Sequence, residues 1–152
     1  GYYDKIKIYS ENDLDNNCKS FISKIIKRTG FKRGYGYWFW KPYIILKELN
    51  ENSNGDIIHY LDVGCHIIKG KISKFNYYIR DLYKKKNIIA FQYKPINSKN
   101  FSNVTFPKRQ EFKYTKSDMF KYFNFLNNKN ILNSPQFWAG CIFIKKIGRA
   151  HV

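Results

Sequence analysis

The chain has 152 residues, enough for one compact domain and one core but too few for two. It carries 28 Lys and Arg against 11 Asp and Glu, a formal net charge of +17, and 19% of its residues are aromatic. No apolar run reaches the roughly 18 residues that a membrane-spanning helix needs, and Cys18, Cys65 and Cys141 stand too far apart for a zinc knuckle or a disulfide framework.

In chain order, Ile6 and Ile8 alternate with Lys5, Lys7 and Tyr9, which predicts a strand over Lys5 to Ser10. The period then changes. Leu14, Cys18, Phe21, Ile22, Ile25 and Ile26 recur at helical spacing, with Asp13 or Asp15 as N-cap and Gly30 as the stop. Next comes "RGYGYWFWKPYIIL", Arg33 to Leu46, where glycines and fixed cations stand among large aromatics. A core segment has no use for Arg33, Gly34, Gly36 and Lys41, and a solvated loop has none for Trp38 and Trp40, so the mixture suggests a pocket wall. Pro42 suits a first helical turn, and Ile45, Leu46 and Leu49 continue an apolar face to Asn50.

Asn52 to Gly55 is a turn, and Ile57 to Leu61 is a buried strand that delivers Asp62 at its end. Ser73 is placed to cap a helix with Phe75, Tyr78, Ile79 and Leu82 on its apolar face, closed by Asn87. Lys84, Lys85 and Lys86 form the one run of cations, where they suit the helix dipole. A strand follows at Ile88 to Tyr93, an aperiodic loop from Lys94 to Gln110, and a short helix from Thr115 or Ser117 through Met119, Phe120, Phe123 and Leu126. "FWAGCIFIK", Phe137 to Lys145, is the last strand, interrupted at Gly140. Strands alternating with helices predict an α/β fold: a mostly parallel, Rossmann-like sheet with helices on both faces and ligands beyond the carboxyl ends of the strands.

Three stretches carry a family resemblance. "GDIIHYLDVGCHI", Gly55 to Ile67, resembles the strand ending in an Asp-x-Asp motif in GT-A nucleotide-sugar glycosyltransferases. "SPQFWAGCIFIKK", Ser134 to Lys146, is similar to the later strand of that family where small residues, here Ala139 and Gly140, open room for the donor sugar. "RGYGYWFWKP" occupies the place of a cationic donor-site segment, and with "YTKSDMFKYF" the set resembles bacterial and viral sugar transferases of surface polysaccharide pathways.

The resemblance implies a GT-A fold, incomplete at both ends over residues 1–146, with Ile147 to Val152, "IGRAHV", set aside as a sequencing-adapter scar. It implies transfer of a sugar from a nucleotide-diphosphate donor to a glycan or lipid-linked acceptor, by a parent enzyme of which this stretch alone is inactive. Asp62 would hold Mg²⁺ or Mn²⁺ against the donor diphosphate. Gly64 stands where the second acid belongs, so three arrangements remain open: one carboxylate with waters, a ligand from His66 or from a region beyond this stretch, or metal-free stabilisation by Arg33 and Lys41. Gly34 and Gly36 would let the backbone approach the donor, and Tyr37, Trp38 or Trp40 would wall its sugar or base. His59 reads as a packed residue, Cys65 and Cys141 as small core residues, and Asp118 as a helix-terminal acid. No general base stands out, so the stereochemistry of transfer stays open.

The implied location is the cytoplasm, with contact at the inner face of a membrane through basic residues. The alternative reading is a basic nucleic-acid or polyanion binding module without catalysis. The scatter of the lysines along the chain argues against nucleic acid, and abundant Lys, Asn, Ile, Tyr and Phe reflect an AT-rich gene.

Overall fold

The computed structural model describes residues 2–30, 32–84, 86–93 and 109–148. The predicted loop from Lys94 to Gln110 and the "IGRAHV" tail therefore lie largely outside the described residues. Helix α1 spans Asn16–Thr29, and of the two candidate caps Asp15 is the one used, its carboxylate accepting from the Cys18 amide at 2.7 Å. Gly30 ends α1 at φ +70°, its own amide bonded to the Ile26 carbonyl. That left-handed conformation is one glycine adopts without penalty. A single turn, α2, covers Gly34–Tyr37, and helix α3 covers Trp40–Glu51 with Pro42 inside its first turn, where no hydrogen bond is lost.

Strand β1 is Ile57–Leu61, helix α4 is Ile72–Lys84 and strand β2 is Ile88–Gln92. The predicted cap Ser73 falls inside α4 rather than before it. Three short helices follow, α5 at Glu111–Tyr114, α6 at Ser117–Tyr122 and α7 at Lys129–Leu132, before strand β3 at Phe137–Lys145. Asn128 caps α7 by accepting from the Ile131 amide at 3.2 Å.

The sheet corrects the sequence-based fold. Its order is β1-β3-β2, and β3 runs antiparallel to both neighbours, so the described strands form an antiparallel sheet and not a mostly parallel Rossmann-like one. Helices between strands suggested parallel crossovers, but β3 enters between β1 and β2 in the reverse direction. A continuous apolar run such as "FWAGCIFIK" is commoner in parallel strands covered on both faces, but it marks a covered central strand and here occurs in an antiparallel one. The carboxyl-end rule for parallel sheets consequently does not locate the site. Asp62, just past β1, lies instead beside the first half of β3, its amide donating to the Gly140 carbonyl at 2.9 Å.

Segment 5–10 is the second correction, for it forms no strand, and Ile6 and Ile8 are exposed. The opposite parity holds the segment down. Lys7 Nζ reaches Glu48 at 2.6 Å and Glu51 at 2.8 Å, and the Tyr9 hydroxyl donates to Glu48, tying the segment along α3.

Two apolar clusters occupy the two faces of the sheet. Leu14, Cys18, Ile22 and Ile44 pack with Trp40 and with Tyr60 of β1, joining α1 and α3 to one face. Leu82 of α4 packs with Cys141 and Phe143 of β3, Ile57 and Leu61 of β1, and Ile89 and Phe91 of β2 on the other. Because side chains alternate along a strand, Tyr60 and Asp62 share the first face while His59 takes the second.

Candidate functional site

The site begins at a left-handed turn. Gly34, Tyr35, Gly36, Tyr37 and Trp38 have φ of +59°, +47°, +76°, +57° and +59°, five consecutive residues in a region that L side chains avoid. Hydrogen bonds close the turn, Tyr37 N to Arg33 O at 3.0 Å and Trp38 N to Gly34 O at 2.8 Å. Each non-glycine residue held so costs about 1–2 kcal/mol, and surrounding structure must enforce it. The two glycines show how. A Cβ on Gly34 would lie 2.5 Å from the Trp38 ring, and one on Gly36 would lie 2.9 Å from Ile22 of α1. The close approaches that these glycines permit are therefore to Trp38 and Ile22.

From this turn a chain of contacts runs to the strand end. The Arg33 guanidinium lies 5.6 Å from the centre of the Trp38 ring, the same ring that a Cβ on Gly34 would meet. The Trp40 indole N–H donates to the Gly34 carbonyl at 3.2 Å. Lys41 Nζ sits 5.8 Å from the Trp40 ring and 5.6 Å from the Tyr60 ring, and pairs with the Asp62 carboxylate at 2.8 Å. The Tyr60 hydroxyl donates to the same carboxylate at 2.5 Å. Burial, and then this bond, push the Tyr60 phenol well above its usual range, so it stays a donor. The side chains of Lys41 and Asp62 are 14% and 35% exposed, so the pair is shielded but within reach of solvent.

Of the residues singled out in the sequence, Arg33, Gly34, Trp38, Lys41, Asp62 and Gly140 thus belong to one connected group. Gly36 is buried and faces α1. Ala139 is exposed on β3. Gly140 is buried, and a Cβ there would meet the Trp138 indole at 2.6 Å, so its small size seats Trp138 rather than opening room for a ligand. The β3 ladder to β2 is irregular at this point, with Ala90 opposite Ile142 but Phe91 opposite Trp138. Gly64 is exposed and a Cβ there would meet nothing within 4 Å, and His66 is exposed. Tyr60 was missed in the sequence, although its place two residues before Asp62 on the same strand face was a usable signal.

The donor set fits a divalent cation poorly. Among the described residues no three His, Cys, Asp or Glu side chains stand together as ligands. Both Asp62 oxygens are engaged, and the Lys41 ammonium beside them would repel a second cation.

His59 lies on the opposite face, stacked on Phe143 at 3.7 Å, with Nδ1 2.6 Å from the Tyr3 hydroxyl and Nε2 3.3 Å from Cys141 Sγ. Burial brings its pKa down to about 4 and pushes the Cys141 thiol up to about 11, so neither charges at neutral pH and the pair is no activated nucleophile. The unfolded chain takes up the imidazole proton first as pH falls. Stability contributed by His59 is therefore complete above pH 6.5 and is lost progressively toward about pH 4. Denaturant midpoints should fall across that window, and His59→Phe should flatten the fall. Parallel losses in both proteins would place the sensitivity elsewhere.

No protein-family model, curated protein or solved structure matches the chain. Among the described residues no helix is long and apolar enough to cross a membrane.

Proposed function

We propose that the Arg33 to Asp62 group binds the nucleotide-diphosphate part of a sugar donor, and that the chain serves glycosyl transfer to a glycan or lipid-linked acceptor in surface polysaccharide synthesis. The observation that carries this reading is the contact chain from Arg33 through Trp38, Gly34, Trp40 and Lys41 to Asp62. It joins two cations suited to phosphate oxygens to an indole face suited to a base or sugar. Strained backbone persists where structure enforces it and gathers at ligand sites, and the left-handed turn fits that pattern.

In this reading Arg33 and Lys41 neutralise the diphosphate. Asp62 and Tyr60 hold the Lys41 ammonium in place, and the part of Trp38 that Arg33 and Gly34 leave exposed, in a residue 40% exposed, meets the donor's base or sugar. Stabilisation of the departing diphosphate then comes from fixed cations, since the carboxylate that would hold a metal is already paired. In this reading the protein works in the cytoplasm, and a lipid-linked acceptor would bring it to the inner face of a membrane.

Titration with a panel of nucleoside diphosphates and their hexose derivatives, read by tryptophan fluorescence, tests the reading. Saturable quenching is expected, with diphosphates at least about tenfold tighter than the matching monophosphates. Equal response to inorganic polyphosphate or heparin, with no dependence on the base, would instead favour a polyanion-binding module.

A further inference from the structure

The connection that leaves β1 after Asp62 and enters α4 combines apolar exposure with one sign of charge. Val63 is fully exposed at 100%, Ile68 is exposed at 67%, and Ile67 and Ile72 are also exposed. From Val63 to Arg80 there is no Asp or Glu, whereas Lys69, Lys71, Lys74 and Arg80 all fall there, with His66 beside them. On α4, Lys74 Nζ lies 4.9 Å from the Tyr77 ring and 5.2 Å from the Tyr78 ring, and Tyr77 is exposed.

We propose that this connection and the first turn of α4 dock on an anionic lipid surface. Aliphatic side chains held in water gain by entering the acyl boundary, while flanking lysines keep their ammonium groups at the headgroups and their stems along the apolar layer. Tyrosine suits the same boundary, one end apolar and the other wet. Charge complementarity selects this occupant. A second copy meeting this connection through its own would set Lys69, Lys71 and Lys74 against their equivalents. A nucleic acid would answer the cations and leave Val63 and Ile68 in water. An anionic bilayer satisfies both. The proposal stands independently of donor binding, and because Val63 follows Asp62 directly, docking would bring the Lys41–Asp62 pair toward the membrane plane.

Co-sedimentation of the full chain with vesicles tests it, using phosphatidylcholine alone and phosphatidylcholine with phosphatidylserine in equal parts. Binding is expected to the mixed vesicles and to weaken with salt. Val63→Ser with Ile68→Ser should lower it about tenfold or more without moving the melting temperature, since both side chains are exposed. Lys69→Gln with Lys71→Gln should lower it about fivefold for each charge removed. No binding to the mixed vesicles would overturn the proposal. So would binding that the Val63 and Ile68 substitutions leave intact, which would mean adsorption of a polycation, or a concentration-dependent dimer that the same substitutions dissolve.

Discussion

Gly36→Ala is expected to destabilise the fold by about 2–5 kcal/mol, combining the left-handed penalty of about 1–2 kcal/mol with crowding of about 1–3 kcal/mol in a packed core. Gly36 is buried at φ +76°, and the new methyl would sit 2.9 Å from Cγ2 of Ile22, a side chain with no exposure at all. Ile22 lies at the centre of the cluster joining α1 to α3, so it cannot yield without disturbing Leu14, Cys18 and Ile44. For a chain of this size the melting temperature should fall by on the order of 10 °C. Gly30→Ala is the control, because Gly30 has a similar φ of +70° but nothing within 4 Å of the added carbon. It should lose only the conformational part. Equal losses in the two variants would mean that the 34–38 turn is not clamped on α1.

Lys41→Ala is expected to weaken nucleoside-diphosphate binding about tenfold to a hundredfold, the range for a charge-assisted hydrogen bond to phosphate. Lys41→Arg should recover part of the loss, since charge is kept while the geometry at Asp62 changes. Asp62→Asn separates two mechanisms. If Asp62 only positions Lys41, removing its negative charge beside a diphosphate leaves metal-free affinity equal or tighter. If Asp62 instead holds a metal against the donor, affinity should fall and the dependence on Mg²⁺ or Mn²⁺ should vanish. Gly64→Asp adds a directed check, because a Cβ there meets nothing within 4 Å and the substitution restores a second acid without a clash. Isothermal titration with and without metal reads all four variants.

Local order was legible where one residue settles it. Asp15 and Gly30 bracket α1 because a carboxylate cap and a left-handed stop act within a single turn. Strand β1 was readable from its β-branched run, and so was the position of Asp62 just beyond it. What failed depends on distant partners. The sense of β3 against β1 and β2 is settled by how the chain returns between strands, which no apolar period records. Residues 5–10 alternate as a strand does, yet Lys7 and Tyr9 find Glu48 on α3, a partner about forty residues away that no local pattern announces.

The glycines make the same point about the site. "RGYGYW" and "FWAG" read as room for a ligand at Gly34, Gly36 and Gly140, whereas the groups that an added Cβ would meet there are Trp38, Ile22 and Trp138 of the chain itself. A sequence records the need for space and not its occupant. The handedness of the 34–38 turn was hidden for a related reason. Tyr35, Tyr37 and Trp38 would not enter that region unaided, and what holds them there is packing against α1 and the Trp40 indole.

Backbone-amide and indole nuclear magnetic resonance spectra of the isotope-labelled chain, recorded while the tightest-binding nucleoside diphosphate of the panel is added, test the central claim most directly. Saturable shifts are expected at Arg33 to Lys41, at Tyr60 to Asp62 and at the Trp38 and Trp40 indoles, all following one binding curve that moves to about tenfold to a hundredfold higher ligand concentration in Lys41→Ala. Shifts that map to the lysines of α4 or to Trp138 while leaving residues 33–41 unmoved would contradict it.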